Sequence, residues 1–176
     1  MNNTKKIIIS GVFLALCILL PFLTGNSRQL GTLLSLMHIP VLLCGFICGW
    51  QYGLAVGFVA PLLRSMLLGM PPMPIVAVPM AFELAAYGII CGLLYKFLPK
   101  RKLSVYVSLV CAMVIGRLVN VAAAYMFGTT AILASLQSVF IGTFVGIIIQ
   151  IIVIPIIVIA LKKSGYINNE TNRNVD

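Results

Sequence analysis

Residues 76–102 read VAVPMAFELAAYGIICGLLYKFLPKRK, and this stretch decides the class of fold. Its first 21 residues, 76–96, carry one acid, Glu83, and the segment closes on the basic cluster Lys96, Lys100, Arg101 and Lys102. An apolar run of about 20 residues is long enough to cross the hydrocarbon core as a helix. A cluster of Lys and Arg at one end marks the end that stays in the cytoplasm. Composition extends the reading to the whole chain. Of 176 residues, 61% are hydrophobic and 9% charged, whereas soluble domains are about half apolar and about a quarter charged. There are too few polar side chains to coat a water-facing surface, so the chain reads as an all-α integral membrane protein.

Working outward from that stretch, punctuation divides the chain into a compact bundle of six spans: about 5–24, 32–49, 53–69, 76–96, 104–127 and 132–161. Trp50-Gln51-Tyr52 reads as a tight turn. Pro71-Pro72-Met73-Pro74 cannot continue a helix. The sixth segment is overlong and holds Pro155, which predicts tilt or a kink. With the N-terminus inside, Lys5, Lys6, Lys96, Lys100, Arg101, Lys102, Lys162, Lys163 and Arg173 are cytoplasmic and Arg28 alone is outside, nine against one. That asymmetry requires an even number of crossings and places both termini in the cytoplasm. It also explains the net charge of +9. A nucleic-acid partner would need a basic patch on a soluble fold, and none is expected. Lys5-Lys6 and the run after them are read as a retained first span, since no small-residue cleavage site follows. Residues 1–163 form the transmembrane domain in this reading, and 164–176 a polar cytoplasmic tail expected to be disordered.

The counts exclude most chemistry. Glu83, Glu170 and Asp176 are the three carboxylates and His38 is the one histidine. No HExxH, catalytic triad or P-loop can be written from them. The five cysteines, Cys17, Cys44, Cys48, Cys91 and Cys111, all lie in apolar runs and read as small buried hydrophobes. No metal and no cofactor is expected. Small residues recur four apart (Gly11/Ala15, Gly45/Gly49, Gly53/Gly57, Gly88/Gly92, Ala112/Gly116, Gly142/Gly146), the spacing that lets helices approach closely in lipid.

Polar residues inside the spans are the functional candidates, because charge in hydrocarbon is expensive. Arg64 lies near the outer end of the third span. Glu83 lies roughly 10 Å inside the fourth and Arg117 roughly 15 Å inside the fifth, at 1.5 Å per residue. Asn120 shares a face with Arg117. His38 and Gln137 fall in the outer thirds of the second and sixth spans. The six depths converge on the external half of the bundle and predict an outward-facing substrate pocket of His38, Arg64, Glu83, Arg117, Asn120 and Gln137. Two arginines against one glutamate leave one positive charge for an anionic head group. The segments 25–31 and 69–75 lie at its mouth. Each residue also has a structural reading: Arg64 snorkelling to the interface, a Glu83–Arg117 pair that serves only the fold, His38 as a core histidine, Asn120 and Gln137 as interhelical glue.

Several stretches resemble the substrate-binding S components of energy-coupling-factor (ECF) vitamin importers: Leu36-Met37-His38-Ile39-Pro40-Val41-Leu42-Leu43-Cys44-Gly45 through Gly49-Trp50, Ala60-Pro61-Leu62-Leu63-Arg64-Ser65, Gly69-Met70-Pro71-Pro72 and Met80-Ala81-Phe82-Glu83-Leu84. The resemblance covers about residues 5–163. It implies a prokaryotic cell-membrane subunit, not an enzyme, that binds a vitamin in an outward-facing cavity at the outer ends of helices four to six. The loops after helices one and three would serve as its lid. It implies docking on a transmembrane coupling subunit that carries two ATPases, followed by toppling in the membrane. The family's Ala-x-x-x-Ala docking motif falls on Gly11 and Ala15, with a departure at the first position. Pantothenate is the favoured cargo on charge, with pyridoxine-type compounds and hydroxymethylpyrimidine next. Left open beside this reading are a stand-alone secondary transporter with Glu83 as the proton-coupling acid, a membrane enzyme with a minimal His/Glu pair, and a scaffold for other subunits.

Overall fold

The computed structural model describes residues 2–21, 36–99, 102–127 and 144–163. Among these residues there are six helices and no strand: α1 (Asn3–Leu19), α2 (His38–Cys48), α3 (Trp50–Leu68), α4 (Ala77–Phe97), α5 (Lys102–Met126) and α6 (Phe144–Lys163). Three are long and apolar enough to cross a membrane: α3, α4 and the Leu103–Met126 part of α5. The helix α2 and the Gly146–Leu161 part of α6 are apolar but shorter.

At the centre stands α4, packed against α2, α3 and α5, while α1 lies on α2 and α3, and α6 on α5 and α2. Small residues explain why α4 takes that place. Gly53 and Gly88 meet backbone to backbone: a Cβ on Gly53 would sit 2.9 Å from both the Cα and the carbonyl oxygen of Gly88. A turn further along, Gly57 lies against the carbonyl of Leu84, and at the other end Gly92 lies against the backbone of Trp50. Gly45 joins from α2, its absent Cβ 2.8 Å from the Gly88 carbonyl oxygen. Lipid tails are as apolar as leucine, so association in a bilayer relies on dispersion between closely packed backbones. The core between these helices holds Val41, Leu42, Leu84, Tyr87, Leu109 and Ile154. Thiols fill its narrow places: Cys44 Sγ donates to Ser10 Oγ (3.7 Å) and Cys17 Sγ to the Met37 carbonyl (3.7 Å), tying α1 to α2. Outward-facing positions of α5 are apolar instead (Val107, Val110, Val114, Leu118), the inverse of the pattern a water-facing helix shows.

Several boundaries differ from those the sequence predicts. Trp50-Gln51-Tyr52 is not a turn but the first turn of α3. The break is Gly49 alone, whose φ of 101° is open to glycine and strained for other residues. Gly49 therefore does not belong with Gly45 as a packing pair, and nothing lies within 4 Å of a Cβ built on it. The helix of the second span is described from His38, with Leu36 and Met37 in a turn before it, and 32–35 lie outside the described residues. Pro40 is the third residue of that helix, where its missing N–H has no intrahelical partner to lose. The sixth helix is described from Phe144, so 132–143 and Gly142 lie outside the described residues, as does the 164–176 tail. The proline-rich break stands as read: α3 ends at Gly69 in the left-handed region (φ 67°), its N–H bonded to the Ser65 carbonyl. Ser65 Oγ then donates to the Pro71 carbonyl (2.6 Å), pinning the connection to the helix it leaves.

Candidate functional site

Glu83 sits in the second turn of α4, and its carboxylate is the meeting point of three helices. One turn on, Tyr87 shares its face, and the phenol donates to Glu83 Oε1 at 2.6 Å. From α5, Arg117 Nη1 lies 3.2 Å from the same oxygen. Asn120, three residues along on Arg117's face, donates through Nδ2 to Glu83 Oε2 at 2.8 Å. From the first residue of α2, His38 Nε2 stands 3.8 Å from Oε1, too far for a hydrogen bond. Its ring tilts against that of Tyr87, centroids 5.4 Å apart. Glycine makes the assembly possible: the Tyr87 ring occupies the space a Cβ on Gly116 would need.

Burial gives these contacts their weight. Glu83 is 3% exposed, and Arg117 and His38 4% each. An ion stripped of water costs several kcal/mol unless paired and hydrogen-bonded, and Glu83 has both forms of compensation. Arg117 is satisfied on one side only. Its Nε and Nη2, and both ring nitrogens of His38, are buried without a hydrogen-bond partner among the described residues.

Four of the six residues expected in the pocket are thus brought together: His38, Glu83, Arg117 and Asn120. Arg64 is not part of the cluster. It lies on the α3 face that bears Gly57, but seven residues beyond it, about 10 Å further towards the end where α4 begins. Among the described residues it forms no ion pair, and its Nε is buried without a partner. Gln137 lies outside the described residues. Tyr87 is the member that sequence reasoning missed, although its spacing of four from Glu83 was the available signal. Gly11 and Ala15 are on the exposed side of α1, and nothing lies within 4 Å of a Cβ built on Gly11.

Chemically, the cluster presents donors and no activated nucleophile. No group of three metal-ligating side chains occurs among the described residues. Long apolar helices packed through glycine, around one buried and charge-paired polar cluster, are the marks of a membrane-embedded protein. The family model of the ECF transporter substrate-specific component matches residues 5–164, and the chain belongs to that family. It is therefore a substrate-binding subunit of an ECF-type transport system. Comparison with curated proteins and with solved structures gives no significant match.

Proposed function

We propose that this subunit captures a small vitamin or vitamin precursor from outside a prokaryotic cell and holds it at the Glu83–Arg117 cluster. The observation that carries this reading is the set of buried donors on Arg117 and His38, unpartnered among the described residues, beside a fully engaged Glu83. A protein has no structural use for polar atoms left bare in its interior, and each costs about 1–3 kcal/mol. A ligand supplying acceptors would recover that cost. Pantothenate is the favoured cargo, followed by pyridoxine-type compounds and hydroxymethylpyrimidine. Asn120, Gln137 and Arg64 complete the binding set in this reading, with the two arginines at different depths.

The topology that goes with it has six crossings and both termini in the cytoplasm, as the basic residues dictate. Docking on a transmembrane coupling subunit with its two ATPases uses α1. Support comes from its outward face, where Ile8, Gly11, Val12, Ala15 and Leu19 are all exposed. The alternative of proton-coupled transport through Glu83 has less support, because three protein donors already engage that carboxylate. Taking up a proton would require one of them to move.

Native mass spectrometry of the purified chain, titrated with a panel of vitamins, tests the proposal. A retained small molecule that is lost in Arg117→Ala is the expected result. A panel in which nothing binds refutes solute capture, and Arg117→Ala binding as wild type refutes the site.

A further inference from the structure

Which edge of Arg117 is bare identifies the chemistry of the ligand, given the capture function proposed above. A guanidinium carries five N–H groups in a fixed fork. Nη1 is spent on Glu83 (3.2 Å). Among the described residues, the atoms without a partner are Nε and Nη2, which form one side of the fork, with two N–H bonds directed nearly parallel. That edge fits two oxygens on one atom, as in a carboxylate or a phosphate, and fits a lone carbonyl or ring nitrogen poorly. We infer that the ligand is a carboxylic acid whose two oxygens take the Nε/Nη2 edge of Arg117, and that Glu83 is a positioning residue that never touches it.

Charge separates carboxylate from phosphate. Glu83 already neutralises Arg117, and the other titratable groups facing the carboxylate are His38 and Tyr87. Arg64, the cation of α3, lies seven residues beyond Gly57, about 10 Å along that helix. A carboxylate brings one negative charge to that edge, held there by two charge-assisted hydrogen bonds. A phosphate monoester brings up to two charges into a region with no further cation among the described residues of the cluster. Glu83 holds the guanidinium by its other edge, so the free edge is presented in a fixed direction before the ligand arrives. Asn120 and Tyr87 hold Glu83 in turn. Fixing the donors beforehand removes part of the ordering cost of binding.

The experiment uses the purified full-length chain and isothermal titration with matched pairs that differ at one group. These are nicotinate and nicotinamide, pantothenate and its alcohol, biotin and its amide, with riboflavin and its phosphate as the dianion control and pyridoxine as a neutral heterocycle. One acid is expected to bind, with its neutral partner weaker by roughly tenfold to a hundredfold, the worth of a charge-assisted hydrogen bond. In Arg117→Lys the charge stays but the two-pronged edge is lost, and the preference for acid over neutral partner should collapse. Neutral members binding as tightly as the acids, or riboflavin phosphate binding best, overturns the carboxylate assignment and leaves solute capture standing. No binding by any member refutes both. An acid preference unchanged in a folded Arg117→Lys overturns the role of the edge.

Discussion

Glu83→Gln isolates what the buried charge contributes. Glutamine preserves the shape of the side chain, removes its charge and replaces one acceptor oxygen with an NH2 donor. In the wild type, donors approach both oxygens: Tyr87 and Arg117 at Oε1, Asn120 at Oε2. A half-turn of the Asn120 amide would give the new NH2 an acceptor, so the hydrogen bonds survive in number. The charge does not. Arg117, 4% exposed, would be left without its counter-ion, and breaking a buried pair from one side costs about 3–5 kcal/mol. For a chain of this size that lowers the melting temperature by on the order of 10 °C. Adding Asn120→Asp should undo part of the damage. The carboxylate moves across the 2.8 Å contact to α5 and now sits one turn from Arg117 on its own helix. The coupling between the two changes is expected at about 1–3 kcal/mol. The chain provides its own probe, since Cys17, Cys44, Cys48 and Cys91 are buried thiols that a thiol-reactive dye reports as they become exposed on heating in detergent. Glu83→Gln melting with the wild type would refute the reasoning, as would a double variant that melts no higher than the single one.

Gly88→Ala should destabilise more than an ordinary core change, because the new methyl meets the Gly53 backbone and not a movable side chain. Overpacking costs about 1–3 kcal/mol, and α3 and α4 would separate, so circular dichroism should show retained helix with a lowered melting point. Tyr87→Phe deletes a 2.6 Å donor to a buried carboxylate and should cost about 1.5–3 kcal/mol in the same dye assay. Gly11→Leu introduces bulk where nothing lies within 4 Å. Its melting temperature should match wild type while co-purification with the coupling subunit falls; undiminished co-purification would remove α1 from the docking surface.

Sequence and tertiary structure divide the work along physical lines. The apolar runs, the break at Pro71-Pro72-Met73-Pro74, and the basic residues at the ends are local or additive properties, legible without knowing what packs on what. The class of protein followed from them, as did the suspicion falling on Glu83, Arg117, Asn120 and His38, since charge in an apolar helix needs no partner to be conspicuous. Helix rotation and register are different, because they depend on where glycines allow backbones to touch. Only the Gly53–Gly88 and Gly57–Leu84 contacts set the register of α3 on α4 and left Arg64 about two turns from the Leu84 level. Only the Tyr87 ring seated on Gly116 recruited a tyrosine that looked like one more aromatic in an apolar helix. The sequence determined that polar groups would be buried in this bundle. Close packing of three helices decided which of them meet, and left one edge of Arg117 without a partner among the described residues.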